Sequence, residues 1–239
     1  MQPYVLTICS GKGGVGKSIL ASNIAEQLAS RSEKTLLIDL DLMFPNLHLM
    51  FGLSPSNNAI EKYIMIKENL FILNHLSLNI SHSTLDSFSF IDVYHNILFD
   101  DDFDFIIIDT SSGLSNYLLE AACIADKIGI VVTDEPTSMV DSYGLIKIMQ
   151  DYIDIRKVNL ILNNIIDYND ANELILRFNI ITKHFINAVI DTLGVVQYDD
   201  AMKKSIIEQM PLSIMKPGSA TVNDIIAIAK KLIEIRIRN

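Results

Sequence analysis

The sequence predicts an α/β fold in which helices cover both faces of a doubly wound, mainly parallel sheet. Short β-branched runs, turn residues and helical periodicity alternate along the chain, and this order is typical of parallel strands joined by crossover helices. Some runs, such as Phe105–Ile108, are apolar without alternation, which indicates strands buried on both faces. The 239 residues show no linker or repeat, so we expect one domain over residues 1–239.

Strands are predicted where β-branched and aliphatic runs are bounded by turn residues. In chain order they are Tyr4–Cys9, Thr35–Asp39, Asn69–Leu73, Phe103–Asp109, Ile128–Thr133, Val158–Ile165 and Val189–Val196. Residues 52–102 are the least regular stretch, and most of it is left without an element.

Helices are predicted where apolar residues recur at three- and four-residue spacing. They are Lys17–Ser30, Asn116–Ala125, a helix that begins at Pro136, Asp170–Ile186, Asp199–Gln209 and Asp224–Arg236. Proline suits a first helical turn, and Ser138 with Asp141 fits a capping box.

The composition is that of an ordinary globular protein, with 49% apolar and 20% charged residues. Because the formal net charge is −10, the overall field opposes nucleic-acid binding, which depends on Lys and Arg. The two cysteines, Cys9 and Cys123, sit in apolar runs and are expected to be buried. They show no zinc-ligand spacing.

Neither a spanning apolar segment nor an export signal is visible, so a cytoplasmic location is expected. The last predicted helix has one apolar stripe, formed by Ile225, Ile228, Leu232 and Ile235. We expect this stripe to pack on the core. The nearby basic residues Lys230, Lys231, Arg236 and Arg238 leave a contact with anionic lipid at the inner membrane face open.

A glycine-rich segment between the first strand and the first helix matches the pattern GxxxxGK[ST]. It reads Gly11-Lys12-Gly13-Gly14-Val15-Gly16-Lys17-Ser18. Glycines let the backbone wrap a phosphate, and the first helical turn, Lys17 to Ile19, adds free N–H donors and the positive end of the helix dipole. Lys17 is expected to reach the β- and γ-phosphates and the Ser18 hydroxyl to bind Mg²⁺. The sequence thus predicts a nucleotide site formed by Gly11–Ile19.

Three aspartates lie at or just beyond the carboxyl ends of two predicted strands. Asp39 and Asp41 follow Leu36–Ile38, and Asp109 follows Ile106–Ile108. Because ligands of such sheets bind outside the carboxyl ends of the strands, all three carboxylates can reach the phosphates. Asp39 and Asp109, with Ser18, are the candidate Mg²⁺ residues, and Asp41 is the candidate that orients the attacking water.

The segment Lys12–Ser18, KGGVGKS, resembles the deviant Walker A loop of the MinD/ParA class of ATPases. Asp41–Leu47 resembles switch I of that class, with its D-x-x-x-x-N-L pattern, and Phe105–Gly113 resembles its Walker B and switch II. The resemblance implies ATP as ligand and an ATP-dependent homodimer in which Lys12 reaches the partner's phosphates. It also implies an adenine contact from Asn163.

The segment Glu135–Tyr143, EPTSMVDSY, is similar to the EPTS-x-x-D-x-Y segment of the FlhG/FleN group, which sets flagellar number and placement. This implies a slow, partner-stimulated ATPase whose partner belongs to a positioning system, such as an FlhF-like GTPase or a flagellar or transcriptional component. The chain departs from the group in starting at the first strand, without the group's N-terminal FlhF-activating element, and in carrying Met43 and Phe44 in switch I.

Three alternatives remain open. A ParA-like DNA segregation factor shares the ATPase core, but the net charge of −10 and the EPTS segment argue against it. A pilus-positioning ATPase of the CpaE/TadZ kind fits Asp39-Leu40-Asp41-Leu42, although many of its members lack the full loop. A non-hydrolysing nucleotide-binding scaffold is disfavoured because Lys17, Ser18, Asp41 and Asp109 are all present.

Overall fold

A computed structural model of the chain describes residues 2–53, 61–74, 89–100 and 102–238. Its strands are β1 (Tyr4–Cys9), β2 (Thr35–Asp39), β3 (Tyr63–Lys67), β4 (Leu70–Leu73), β5 (Phe105–Asp109), β6 (Lys127–Val132), β7 (Val158–Ile165) and β8 (Asp191–Gln197). They form one sheet in the order β3-β4-β2-β5-β1-β6-β7-β8. All neighbouring pairs are parallel except β3 and β4, which form an antiparallel hairpin.

Helices lie on both faces of the sheet. They are α1 (Lys17–Ala29), α2 (Phe90–Asp100), α3 (Asn116–Ile124), α4 (Pro136–Met149), α5 (Tyr168–Ile186), α6 (Ala201–Ile207), α7 (Leu212–Met215) and α8 (Ala220–Arg238), with short 3₁₀ helices at Leu47–Phe51 and Ile155–Lys157. The described residues therefore form the doubly wound, mainly parallel α/β architecture that the sequence predicts.

Alternate residues of the central strands point into two separate cores. On one face Val5, Ile106 and Ile108 pack with residues of α2 to α5, including Leu118 and Phe178. On the other face Leu6, Ile8 and Ile107 pack with α1 and α8 through residues such as Ile24 and Ile228. Burial on both faces explains why the strand sequences are apolar without alternation.

The predicted helix ends and strand ends are mostly confirmed. The bounds of β1, β2 and β7 match the prediction, and β4, β5, β6 and β8 lie within two residues of it. Helix α8 begins at Ala220, four residues before its predicted start, and α6 is shorter than predicted. Strand β3 and helix α2, both in the irregular stretch 52–102, were not predicted, and residues 54–60, 75–88 and 101 of that stretch lie outside the described residues.

Two local predictions were wrong. Ser138 does not cap α4, because Glu135 occupies the N-cap without a side-chain bond and the Ser138 hydroxyl instead accepts a 3.0 Å hydrogen bond from the backbone N–H of Thr133. Cys9 is buried as expected, but Cys123 is exposed. The helical period explains this. The buried face of α3 is formed by Leu118, Ala121 and Ala122, and Cys123 lies on the opposite, exposed face.

The last helix packs on the core as expected. Ile225, Ile228 and Leu232 of α8 are buried, and the Arg236 guanidinium lies 2.9 Å from Glu33 and 2.5 Å from Asp104 at the amino ends of the strands. Within the described residues, none of the helices combines the length and the apolar character needed to cross a membrane.

Candidate functional site

The phosphate loop connects β1 to α1 at the carboxyl end of the sheet. Gly14 and Gly16 adopt left-handed backbone conformations, with φ of 79° and 93°, and glycine takes these without steric cost. Residues of the loop and of the first turn of α1 line a cavity of about 220 Å³ together with Asn46 and Met50. The first turn of a helix has free backbone N–H groups and the positive end of the helix dipole. Because residues of this turn line the cavity, the cavity suits phosphate groups.

Asn163, at the carboxyl end of β7, is tied to this loop. Its side-chain amide donates a 2.8 Å hydrogen bond to the carbonyl oxygen of Val15, and Asn163 is only 5% exposed. A Cβ atom added at Gly16 would lie 2.4 Å from the Asn163 Nδ2 atom. The loop therefore needs glycine at position 16 both for its backbone conformation and for the close approach of Asn163.

The carboxylate of Asp109 lies buried beside the start of α1. It is 2% exposed, the Ser18 hydroxyl lies close enough to act on its pKa, and its Oδ1 atom has no hydrogen-bond partner among the described residues. Burial raises the pKa of Asp109 to about 7, and Asp39 adds to this effect, while Ser18 and Lys17 oppose it. A buried carboxylate with an unpartnered oxygen next to a hydroxyl fits an oxygen-preferring cation such as Mg²⁺.

Asp39 holds the segment that follows β2. Its Oδ1 atom accepts a 2.9 Å hydrogen bond from the backbone N–H of Asp41. Its Oδ2 atom accepts bonds of 2.7 Å from Asn46 N–H and 3.0 Å from Leu47 N–H. Both oxygens of this carboxylate thus fix the chain from Asp41 to Leu47 against the end of the sheet, while its charge acts on Asp109.

The Asp41 side chain stands at the start of this segment, where it is partly exposed. Its carboxylate accepts a 3.3 Å hydrogen bond from the backbone N–H of Phe44. Met43 and Phe44 are 48% and 75% exposed, so the apolar residues of this loop face outward. Asp41 is close enough to Asp109 to raise the pKa of that carboxyl, which places both carboxylates in one site.

Lys12 is held on the other side of the loop. Its ammonium contacts the Glu135 carboxylate and donates a 3.1 Å hydrogen bond to the Thr137 hydroxyl. The Ser10 hydroxyl donates a 2.7 Å bond to the Lys12 carbonyl oxygen. Lys12 does not line the cavity that Lys17 lines, so the two lysines of the loop point to different places.

Comparison with known families decides the class of this site. The model of the ParA family, described as NUBPL iron-transfer P-loop NTPase, matches residues 3–233. The chain belongs to the ParA family. Its membership agrees with the loop, the strand-end aspartates and the sheet order described above, and it implies nucleotide binding together with a divalent metal ion.

Relatives within the ParA family cover nearly the whole chain. The antiactivator FleN of Pseudomonas aeruginosa is 25% identical over 97% of this chain and 87% of its own length. The flagellum site-determining protein YlxH of Helicobacter pylori is 25% identical over 95% of this chain and 81% of its own length. The structure of the septum site-determining protein MinD from Pyrococcus horikoshii, complexed with Mg-ADP, superposes with a TM-score of 0.75, 22% identity and coverage of 98% and 99% of the two chains.

Most residues predicted from the sequence therefore meet at one edge of this ParA-family sheet. Around the loop formed by Gly11–Ile19 lie Asp39, Asp41, Asp109 and Asn163. Sequence reasoning did not identify Asn46 and Met50, which line the cavity, or Glu135 and Thr137 as partners of Lys12. The last two lie in the EPTS segment, but their position in the chain did not show that they face the loop.

Proposed function

We propose that this chain is an ATP-dependent switch, an ATPase that forms a homodimer when ATP and Mg²⁺ bind and separates after hydrolysis. The observation that carries the proposal is the buried, unpartnered Oδ1 atom of Asp109 beside the Ser18 hydroxyl, at the start of a helix whose loop suits phosphates. A buried carboxylate in this state is costly without a cation, and a nucleotide site supplies one.

Each residue has a role that its position supports. The loop N–H groups and Lys17 would bind the phosphates, while Ser18 and Asp109 would hold Mg²⁺, with Asp39 close by. Bound Mg²⁺ would neutralise charge on the phosphate oxygens. Asp41, on a partly exposed loop, would orient the attacking water toward the γ-phosphate.

Asn163 would serve the nucleotide base. Its side-chain amide donates to the Val15 carbonyl, so the remaining polar capacity of the amide is left for a base next to the loop. The adenine contact is an expectation from the family resemblance, and the hydrogen bond to the loop is compatible with it.

The switch itself would depend on Lys12. In a dimer closed over two nucleotides, Lys12 of each subunit would contact phosphates bound by the other. Loss of the γ-phosphate then removes contacts from both subunits together, which gives hydrolysis a structural consequence. The other subunit of this dimer would be a second copy of this chain.

The cellular role that we propose is control of the number or placement of a cell structure, most directly flagella. The antiactivator FleN and the flagellum site-determining protein YlxH align over at least 95% of this chain. The net charge of −10 opposes a role as a nucleic-acid-binding segregation factor. A protein of the same positioning system would then stimulate the ATPase.

The test is the mass of the protein in solution, measured by light scattering with ATP and Mg²⁺. We expect wild type to be monomeric without ATP and dimeric with it. Asp41→Ala should trap the dimer because hydrolysis stops, and Lys12→Ala should abolish it. Lys230→Ala, which removes an exposed lysine of α8, is the matched control and should behave as wild type. If the mass of all four proteins is the same with and without ATP, the switch is refuted.

A further inference from the structure

We propose that a cavity at the amino end of the sheet, opposite the phosphate loop, binds a small organic cation, an amine with an apolar body. The Asp126 carboxylate would bind the ammonium group, and the side chains of Tyr4 and Tyr94 would enclose the apolar part. Neither the phosphate loop nor the strand-end aspartates line this cavity. The site is therefore separate from the proposed ATPase site, and its test does not depend on ATP.

The cavity lies where the first strand begins and the last helix ends. Its volume is about 760 Å³, which lies in the range of sites for drug-sized molecules. Four elements, β1, α2, α3 and α8, contribute to it. Its lining includes two tyrosines, two isoleucines, one acid and one base, namely Tyr4, Tyr94, Ile124, Ile237, Asp126 and Arg236. The lining thus combines apolar surface with a few polar groups, as small-molecule sites do.

Asp126 is fixed at the edge of the cavity through one of its carboxylate oxygens. Its Oδ2 atom accepts a 2.8 Å hydrogen bond from the backbone N–H of Val5. Its own backbone N–H donates a 2.9 Å bond to the carbonyl oxygen of Val5, so the residue is held against the start of β1. A carboxylate can accept through both oxygens, and Asp126 is exposed. Its Oδ1 atom can therefore accept from an ammonium group in the cavity.

The hydroxyl of Tyr4 supplies a second acceptor. Tyr4 is only 5% exposed, and its ring packs edge-on against that of Phe105, with 5.8 Å between the centroids. The hydroxyl is buried and has no hydrogen-bond partner among the described residues, which is costly unless a ligand provides one. Burial and the charge of Asp126 raise the pKa of Tyr4, so the hydroxyl stays neutral and lies within the field of that carboxylate.

The charges around the cavity favour a cation over an anion. The guanidinium of Arg236 is already bound by Glu33 at 2.9 Å and by Asp104 at 2.5 Å. These two carboxylates outweigh its single positive charge, and Asp126 adds a further negative charge. Burial and the charge of Asp126 also raise the pKa of Tyr94, so the field of Asp126 reaches both phenols. An ammonium group gains from a carboxylate and from neighbouring aromatic rings.

The test compares three ligands of nearly the same shape, titrated into the protein without nucleotide and followed by the backbone amide signals in NMR spectra. The probes are 4-phenylbutylamine, 4-phenylbutanol and 4-phenylbutyrate, which are cationic, neutral and anionic near neutral pH. We expect the amine to shift the signals of Val5 and Asp126 and to bind about 5-fold more tightly than the alcohol. The anion should bind most weakly.

The anionic probe makes this comparison decisive. The Nε atom of Arg236 is also buried without a hydrogen-bond partner among the described residues, and an anion could accept from it. Tighter binding of 4-phenylbutyrate than of 4-phenylbutylamine would therefore overturn the inference. So would a wild-type protein in which the amine shifts neither the Val5 signal nor the Asp126 signal.

Two variants separate binding from folding. Asp126→Asn keeps an oxygen that can accept from the Val5 N–H, and Tyr4→Phe keeps the ring against Phe105. We expect Asp126→Asn to remove the preference for the amine over the alcohol. Tyr4→Phe should weaken the amine by about 2- to 5-fold without lowering Tm, because it deletes an unpartnered buried hydroxyl.

Asp170→Asn is the matched control, since it makes the same charge change at an exposed residue in the first turn of α5. It should bind the amine as wild type does. If Asp126→Asn keeps the preference for the amine, or if Asp170→Asn loses it to the same extent, the Asp126 carboxylate does not bind the cation and the inference is wrong.

Discussion

The side-chain amide of Asn163 and the carbonyl oxygen of Val15 are joined by a 2.8 Å hydrogen bond, which ties the end of β7 to the phosphate loop across 148 residues of sequence. The loop conformation therefore depends on a strand that lies two positions away in the sheet from the strand that carries it. Several consequences for nucleotide binding can be measured.

The first prediction concerns Asn163 itself. Asn163→Ala removes the bond to Val15, and we expect the dissociation constant for ATP to rise about 5- to 10-fold, as for the loss of one hydrogen bond of roughly 1 kcal/mol. Calorimetric titration with ATP and Mg²⁺ measures this. Asn159→Ala is the control, because Asn159 is an equally buried residue of β7 whose amide binds the Lys157 carbonyl instead. Equal losses of affinity in the two variants would contradict the prediction.

A related prediction concerns Gly16. Gly16→Ala should abolish nucleotide binding, because φ is 93° and the new methyl group would lie 2.4 Å from Asn163. The Gly16→Ala/Asn163→Ala double variant removes the clash but should still bind ATP about 5-fold or more weakly than Asn163→Ala alone, since the left-handed conformation still costs the alanine about 1 kcal/mol or more. The same titration decides this, and recovery of ATP affinity in the double variant would show that contact rather than backbone conformation is limiting.

The third prediction concerns the carboxylate that holds the loop after β2. Asp39→Asn replaces one accepting oxygen by a donor, so the N–H groups of Asn46 and Leu47, or that of Asp41, lose their acceptor. We expect faster hydrogen exchange in residues 41–47 and at least a tenfold lower ATPase rate, with ATP affinity changed little. Hydrogen exchange followed by mass spectrometry, together with phosphate release, tests this. Unchanged exchange in 41–47 would show that Asp39 does not hold the loop.

How far the sequence predicts this molecule depends on what surrounds each element. Strands β1, β2 and β7 are buried on both faces, so their apolar runs end where turn residues begin, and their bounds follow from the sequence. Strand β3 is an edge strand with partly exposed side chains throughout, and nothing in its own residues distinguishes it from an apolar loop. The pairing of β3 with β4 is visible only in the fold.

The same reasoning applies to the site. Asp109 could be placed near Ser18 because the carboxyl ends of parallel strands meet at one edge. The direction of the Lys12 side chain could not be predicted, because its partners Glu135 and Thr137 lie more than 120 residues away in sequence. Their approach depends on how tightly α4 packs against Gly11, which no local pattern shows.

The fourth prediction uses the raised pKa of Asp109. In the folded protein this pKa is about 7 rather than the usual 3.8, so the folded state binds a proton more tightly than the unfolded state. The stability that this group contributes is present at low pH and is lost as the pH rises from about 4 to 7. At pH 8, with a chelator present to remove divalent metal ions, the free energy of unfolding of Asp109→Asn should therefore exceed that of wild type by roughly 2–4 kcal/mol.

This gain should be absent at pH 4, where the wild-type carboxyl is already neutral. Urea unfolding at the two pH values measures it. Asp109→Asn should also lose the Mg²⁺-dependent part of its ATP affinity, whereas the affinity of wild type for ATP should depend on Mg²⁺. A variant that is less stable than wild type at pH 8 would contradict the argument, because it would mean that the charged carboxylate is stabilised by the protein alone.

The last prediction concerns the attachment of the edge hairpin to α1. The Lys67 ammonium of β3 lies 2.5 Å from the Glu26 carboxylate, whose side chain is 4% exposed. Burial acts to raise the pKa of Glu26, but hydrogen bonds from Lys67 and Ser30 help to outweigh burial, so this pKa is lowered. The folded carboxylate thus contributes stability above its unfolded pKa, and this stability is lost as the pH falls through the folded pKa.

Lys67→Met leaves the Glu26 carboxylate buried without its cation, and we expect a loss of about 2–3 kcal/mol in the free energy of unfolding at pH 7. The loss should shrink below pH 5, where the carboxyl of the variant takes up a proton. The double variant Glu26→Gln/Lys67→Met is the control and should recover most of the stability, since no buried charge remains unpaired. Denaturant unfolding of the three proteins at pH 7 and pH 4.5 decides it: a loss that is the same at both pH values would mean that Lys67 acts by packing β3 on α1 and not through its charge.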